Sequence, residues 1–136
     1  MKYKLIKTKY ARAMEKIEND LFDNAFSANT LRNEIKAGGG YVALDDKHNL
    51  VGYALTRFDE GLTDLTKLAV KKEYQGQGVG TYLLKLVIDN AEKVMLCVNK
   101  TNKRAITLYK RHGFQVTGSI FDSWLMERKA YMMRKV

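Results

Sequence analysis

Residues 68–84 read LAVKKEYQGQGVGTYLL: the end of an apolar strand-like run, a charged turn, glycines at alternate positions 76, 78 and 80, and the start of an apolar helix-like run. A tight strand-to-helix turn needs one glycine or two. Three at this spacing let successive backbone N–H groups converge on an anion, and the following helix adds its unsatisfied N–H groups and the positive end of its dipole. The spacing points to a bound phosphate. Two familiar phosphate loops do not fit. A Walker loop needs lysine after its last glycine, and Thr81 stands there. A dinucleotide fingerprint, G-x-G-x-x-G, would place its third glycine one residue beyond Gly80, and the position about twenty residues on, where it needs an acid, is Lys100.

Working outward, LTDLTKLAV (62–70) reads as the strand before the loop, and YVAL (41–44) with LVGYALTRF (50–58) reads as a hairpin across the turn DDKHN. Farther upstream the period is helical. Met14, Ile17, Leu21 and Phe22 recur on one face, and SANTLRNEIKAGGG opens with the capping residues Ser27, Asn29 and Thr30 and stops at glycines 38–40. KYKLIKT (2–8) suits a short first strand. Downstream, TYLLKLVIDNAEK carries Leu83, Leu84, Val87, Ile88 and Ala91 on one helix face. VMLCV (94–98) is a short strand, and a helix runs from about Asn102 to His112, with Gly113 at its C′ position. FQVTGSIF (114–121) and the terminal KAYMMRKV (129–136) read as strands, with DSWLMER between them as an insert. The order β-α-α-β-β-β-α-β-α-β-β predicts one α/β domain over 1–136, a mixed central sheet flanked by helices. Strands 62–70 and 94–98 flank a helix, which predicts parallel neighbours joined by a crossover.

A length of 136 residues suits one domain, and 46% hydrophobic with 29% charged residues suits a soluble one. No apolar run reaches the length of a membrane span, and MKYKLIKTKY lacks the apolar core of a signal peptide. The single Cys97 excludes an intrachain disulfide and a cysteine metal cage, and His48 and His112 lie too far apart for a metal motif. The expectation is a cytoplasmic protein with no metal and no membrane. The net charge of +9 attracts anions, whether nucleic acid, ribosomes, acidic proteins or a phosphate-bearing cofactor, and by itself does not choose among them. Lys71, Lys72, Lys100, Lys103 and Arg104 gather near the glycine loop and the 102–112 helix, to screen phosphates or to form a solvated cationic face.

The loop resembles the signature Q/R-x-x-G-x-G/A of the GNAT N-acetyltransferases, matched by Gln75, Gly78 and Gly80. A second block of that family, N-x-x-A-x-x-L-Y and then G-F, is matched by Asn102, Ala105, Leu108, Tyr109, Gly113 and Phe114. The element order agrees over nearly the whole chain. The resemblance implies the GNAT-like fold and transfer of an acetyl group from acetyl-CoA to a primary amine by direct attack. It implies that the backbone of Gly76, Gln77, Gly78, Val79, Gly80 and Thr81, with Gln75, wraps the pyrophosphate. Leu68, Ala69 and Val70 would pair with the pantetheine amides, as a peptide adds to a sheet edge. Asn102 would sit near the cofactor arm, and it equally suits a helix N-cap.

In such enzymes the tyrosine matched by Tyr109 is the general acid for the departing thiolate. A phenol with reference pKa near 10 is protonated at neutral pH and can donate. Spacing alone makes Tyr109 one more residue of the apolar face of Ala105 and Leu108. For the base, the branch that acetylates the N-terminal alanine of a ribosomal protein carries a strand-five glutamate, and IENDLFDNAFS resembles that branch. Cys97 stands in the matching place, expected as a small buried apolar residue and not a nucleophile. Asp64 is then the candidate base or an exposed strand carboxylate, Glu73 and Asp59 suit solvated loop charges, and water is a further base. The expected acceptor is a protein or peptide amine. A polyamine, an aminoglycoside, a non-catalytic acyl-CoA sensor and a nucleic-acid module are the competing readings. Acceptor specificity is expected from the loop between the first two helices, the turn near 58–62, and the segment 119–130 with Phe121 and Trp124.

Overall fold

The computed structural model describes residues 1–120 and 122–129. In chain order it contains β1 (Lys2–Leu5), α1 (Ala11–Leu21), α2 (Ala28–Ala37), β2 (Gly39–Leu44), β3 (Leu50–Asp59), β4 (Leu62–Val70), α3 (Val79–Asp89), β5 (Lys93–Asn99), α4 (Lys103–Arg111), β6 (Gln115–Ile120) and β7 (Ser123–Lys129). Among the described residues seven strands form one sheet, in the order β1-β2-β3-β4-β5-β7-β6. All neighbours are antiparallel except β4 and β5, which are parallel as the flanked helix predicts.

Local chemistry sets the helix ends. Ser27 Oγ accepts from the Thr30 N–H (3.2 Å) to open α2, and Asn102 Oδ1 accepts from the Ala105 N–H (3.2 Å) to open α4. The glycine run does more than stop α2. A Cβ on Gly40 would lie 1.9 Å from the Ala54 carbonyl oxygen, so β2 and β3 approach there only because a side chain is missing.

Each sheet face carries its own core. On one, α3 and α4 bury Leu83, Leu84, Val87, Ile106 and Tyr109 against Ala54, Leu65, Val94, Leu96 and Val98. On the other, α1 and α2 bury Met14, Ile17, Leu31 and Ile35 against Val42, Tyr53, Leu55 and Ala69. Alternation along β5 turns Val94, Leu96 and Val98 into the first core, and hence Met95, Cys97 and Asn99 toward the α1/α2 face. Helices α1 and α2 pack on β2, β3 and β4, and Cys97 is exposed, not buried as its apolar run suggested. One face of VMLCV is core and the other is open.

The final hairpin also departs from expectation. The presumed insert DSWLMER is mostly strand β7, which lies between β5 and β6 and pairs Leu125 with Cys97 and Val116 with Met126. The strand expected over 129–136 lies, beyond Lys129, outside the described residues. Trp124, a candidate acceptor wall, packs against the α3/α4 core with the Lys110 ammonium 5.7 Å from its ring centroid; Phe121 is outside the described residues.

Candidate active site

The site begins where β4 and β5 part. They pair at Leu62–Lys93, Thr63–Val94 and Asp64–Met95, and there the pairing stops. Strand β5 continues on β7 to Asn99, while β4 runs on to Val70 held only by β3. The cause lies across β4: Leu55 pairs with Lys67 and Thr56 with Leu65, so Thr66 is an extra residue. Such a bulge bends its strand and raises its twist. The Thr66 hydroxyl donates to the Leu55 carbonyl (3.1 Å) and fixes the distortion. Residues 65–70 thereby keep an edge without a β5 partner, facing a wedge-shaped opening.

At the top of β4 the chain makes a short 3-10 turn, Lys72–Tyr74, and enters the glycine loop. Gly76 (φ +77°) and Gly78 (φ +88°) are left-handed, a conformation that favours glycine. Gly78 caps α3 without a side-chain hydrogen bond, and the first turn has no acidic residue, so the opening N–H groups of α3 are left as donors. A Cβ on Gly78 would meet nothing within 4 Å, so the loop borders open space. The two glutamines brace the loop through their side chains: Gln75 Nε2 donates to the Val70 carbonyl (3.0 Å) and Gln77 Nε2 to the Glu73 carbonyl (3.2 Å). Gly80 stacks on the strand end, with Val70 Cγ2 3.6 Å from where its Cβ would be.

The second sequence block meets the first here. The Arg104 guanidinium, from the first turn of α4, lies 3.6 Å from where a Gly76 Cβ would be. Lys71, by contrast, sits in the field of Asp45, whose carboxyl is held low first by the Asn49 N–H, then by the Lys47 N–H and the Lys71 charge, with desolvation opposing. Asn102 is the N-cap of α4. Tyr109 lies in the α3/α4 core, its ring buried and 5.6 Å from that of Phe114. Burial pushes its phenol up to about 12.

Asp64 is the last residue of β4 paired to β5, and it faces Arg57 across β3. Arg57 forms a two-pronged ion pair with Glu34 of α2 (Nε–Oε2 2.8 Å, Nη2–Oε1 2.5 Å), which puts Arg57 and Asp64 on the α1/α2 side. Half-burial raises the Asp64 carboxyl above the usual carboxylate range, with Arg57 opposing. Tyr109 thus supplies a phenol within the α3/α4 layer, and Asp64 a carboxyl of raised basicity on the α1/α2 side of the sheet. Cys97 shares the open face, while Asp59 and Glu73 are exposed at a strand end and a turn.

Sequence reasoning passed over one charged cluster. Glu18 of α1 is fully buried and accepts hydrogen bonds from the Phe26 N–H (2.9 Å), Lys67 Nζ (3.0 Å) and the Tyr53 hydroxyl. Burial first, and then the Glu18 carboxylate, drive the Tyr53 phenol far up. The signal was present, since Glu18 lies four residues after Met14, on the stripe that α1 buries.

The chain is similar to known proteins over most of its length. The model of the Acetyltransferase (GNAT) family matches residues 5–114, which takes in the glycine loop, the splayed strands and the α4 block. The chain belongs to the GNAT family. A Dictyostelium discoideum homolog of the N-terminal acetyltransferase complex ARD1 subunit is 38% identical over 78 residues, 51% of this chain and 38% of that protein. A probable spermine N(1)-acetyltransferase of Bacillus subtilis is 32% identical over 93 residues, 58% of this chain and 61% of that protein. The chain thus spans less than two thirds of the length of these curated relatives. The crystal structure of the ribosomal-protein-S18-alanine N-acetyltransferase from Escherichia coli shares the fold at TM-score 0.86 and 21% identity, covering 96% of this chain and 94% of that one. Membership of the acetyltransferase family makes the chain an acyltransferase domain, and two solved structures that share its fold at 17% and 20% identity hold coenzyme A and acetyl-CoA. Among the described residues no group of three or more His, Cys, Asp or Glu could hold a metal ion, and no helix is long and apolar enough to cross a membrane.

Proposed function

We propose that this GNAT chain transfers acetyl from acetyl-CoA to the α-amine of a protein or peptide, approaching from the α1/α2 side of the wedge. One observation carries the choice: two carboxylates on that side are already engaged, and only Asp64 is left to act as a base. Glu18 accepts three hydrogen bonds and Glu34 is held by Arg57. A polyamine or aminoglycoside is a polycation and needs several free carboxylates, and the net charge of +9 repels it further. The acid–base inventory argues the same way. An α-amine with pKa about 7.7–8.0 is partly neutral at neutral pH, whereas an alkylamine near 10.4 needs a strong base. The strand-five position of the expected glutamate holds Cys97.

In this reading the N–H groups of Gly76–Thr81 and the start of α3 hold the pyrophosphate, with Arg104 adding charge. The free edge of Leu68–Val70 pairs with the amides of the pantetheine arm, and the Asn102 amide lies beside it. Acetyl-CoA supplies an acetyl group activated as a thioester. The acceptor nitrogen bonds to the carbonyl carbon, the C–S bond breaks, and Tyr109 gives its hydroxyl proton to the departing sulfur. The proton lost by the amine passes to Asp64. Supply of acetyl-CoA favours a cytoplasmic location. A peptide with one free α-amine and one lysine, spermidine, and kanamycin, each incubated with acetyl-CoA and read by mass, test the reading. Acetylation of the peptide at its α-amine is expected. Preferential acetylation of spermidine or kanamycin would overturn it.

A further inference from the structure

The Glu18–Lys67 pair, with its carboxylate fully buried and its ammonium largely so, has no part in the chemistry above, yet it joins the two elements that an acceptor must pass. Lys67 lies on β4 between Asp64 and Leu68–Val70, in the stretch with no β5 partner. Its ammonium meets Glu18 at 3.0 Å and lies 4.0 Å and 4.3 Å from the ring centroids of Phe22 and Phe26. Phe22 closes α1, and Phe26 stands just before the N-cap of α2. The α1–α2 connection therefore lies over the unpaired stretch of β4, beside the open approach to the thioester. Its backbone is held from α1 by the Phe26 N–H donating to Glu18, and the first N–H of α2, from Ala28, donates to Glu15 (2.7 Å).

A buried ion pair contributes little net stability compared with apolar residues of similar volume, because desolvation offsets the attraction. Its contribution here is geometric. A cation placed between two ring faces and a carboxylate fixes both rings at once. We propose that the Glu18–Lys67 pair, with Phe22 and Phe26, is a clamp that sets the α1–α2 connection against β4, making Lys67 a positioning residue for the acceptor. This rests on the reading of that face as the acceptor side.

Two variants test it. Lys67→Met keeps the volume and removes the charge, and Glu18→Gln/Lys67→Met also removes the carboxylate that the single change would leave buried without its cation. For both, kcat/KM for the peptide acceptor is expected to fall on the order of tenfold or more, through KM, since small misplacements near a reacting centre are costly. The KM for acetyl-CoA stays at the wild-type value, and Lys67→Arg recovers part of the loss. Hydrogen exchange at Phe26 is expected to quicken in both variants, a readout that needs no acceptor. An unchanged acceptor KM with unchanged exchange at Phe26 overturns the clamp, as does a parallel rise in both KM values. If the wild-type protein acetylates no peptide, the functional reading fails, and exchange at Phe26 still decides the clamp.

Discussion

Replacing Tyr109 by Phe removes one oxygen from a ring that is only 9% exposed and packed against Phe114. Among the described residues the hydroxyl makes no hydrogen bond, so its loss strands no partner and opens no cavity of consequence. Folding stability should stay within about 0.5 kcal/mol of wild type, and the KM for acetyl-CoA should hold. If the phenol protonates the departing thiolate, turnover falls on the order of a hundredfold, a barrier increase of about 2.7 kcal/mol. Acetylated peptide read by mass is the suitable assay, because the exposed Cys97 thiol would react with thiol reagents used to detect CoA. Wild type also carries a pH signature. An ordinary phenol is half ionised near pH 10, whereas Tyr109, pushed up to about 12, keeps its proton there and should sustain turnover. The same shift makes stability fall as pH rises through that window, since the unfolded phenol ionises near 10 and the folded one only near 12. A Phe variant that turns over at the wild-type rate would refute the role.

Three further changes probe separate parts of the site. Gly78→Ala forces a Cβ into a left-handed conformation with open space around it, so its cost is conformational, about 1 kcal/mol in melting studies, with weaker CoA binding by calorimetry. Unchanged CoA affinity would separate the loop conformation from binding. Cys97→Ser should keep full turnover, because direct attack needs no acyl-enzyme, and abolished transfer would point to a covalent route through sulfur. Asp64→Asn should lower kcat about a hundredfold if the carboxylate takes the amine proton. A rate equal to wild type assigns that proton to water.

The parts legible in the sequence are those written locally. The glycine loop, the Asn102 cap, the Gly113 stop and the α3 stripe each depend on residues a few positions apart, and the structure places them as expected. What was not legible depends on partners distant in sequence. DSWLMER reads as an insert, but most of it is strand β7, where Glu127 meets Lys93 (3.2 Å) and Arg128 Nε donates to the His112 carbonyl (2.7 Å). Cys97 is exposed because β4 diverges from β5, and that divergence follows from the bulge at Thr66, a register detail with no pattern of its own. Glu18 went unread because periodicity was followed through apolar residues only. Its partners Tyr53 and Lys67 lie 35 and 49 residues away.

We propose that acetyl-CoA lies in the gap between β4 and β5, with its pyrophosphate on the glycine loop. Amide hydrogen exchange of the whole chain, with and without saturating CoA, tests it most directly. Slowed exchange is expected in Leu68–Val70 and Gly76–Thr81, with β1 and β2 unchanged. CoA binding that leaves both segments exchanging at their free rates would contradict it.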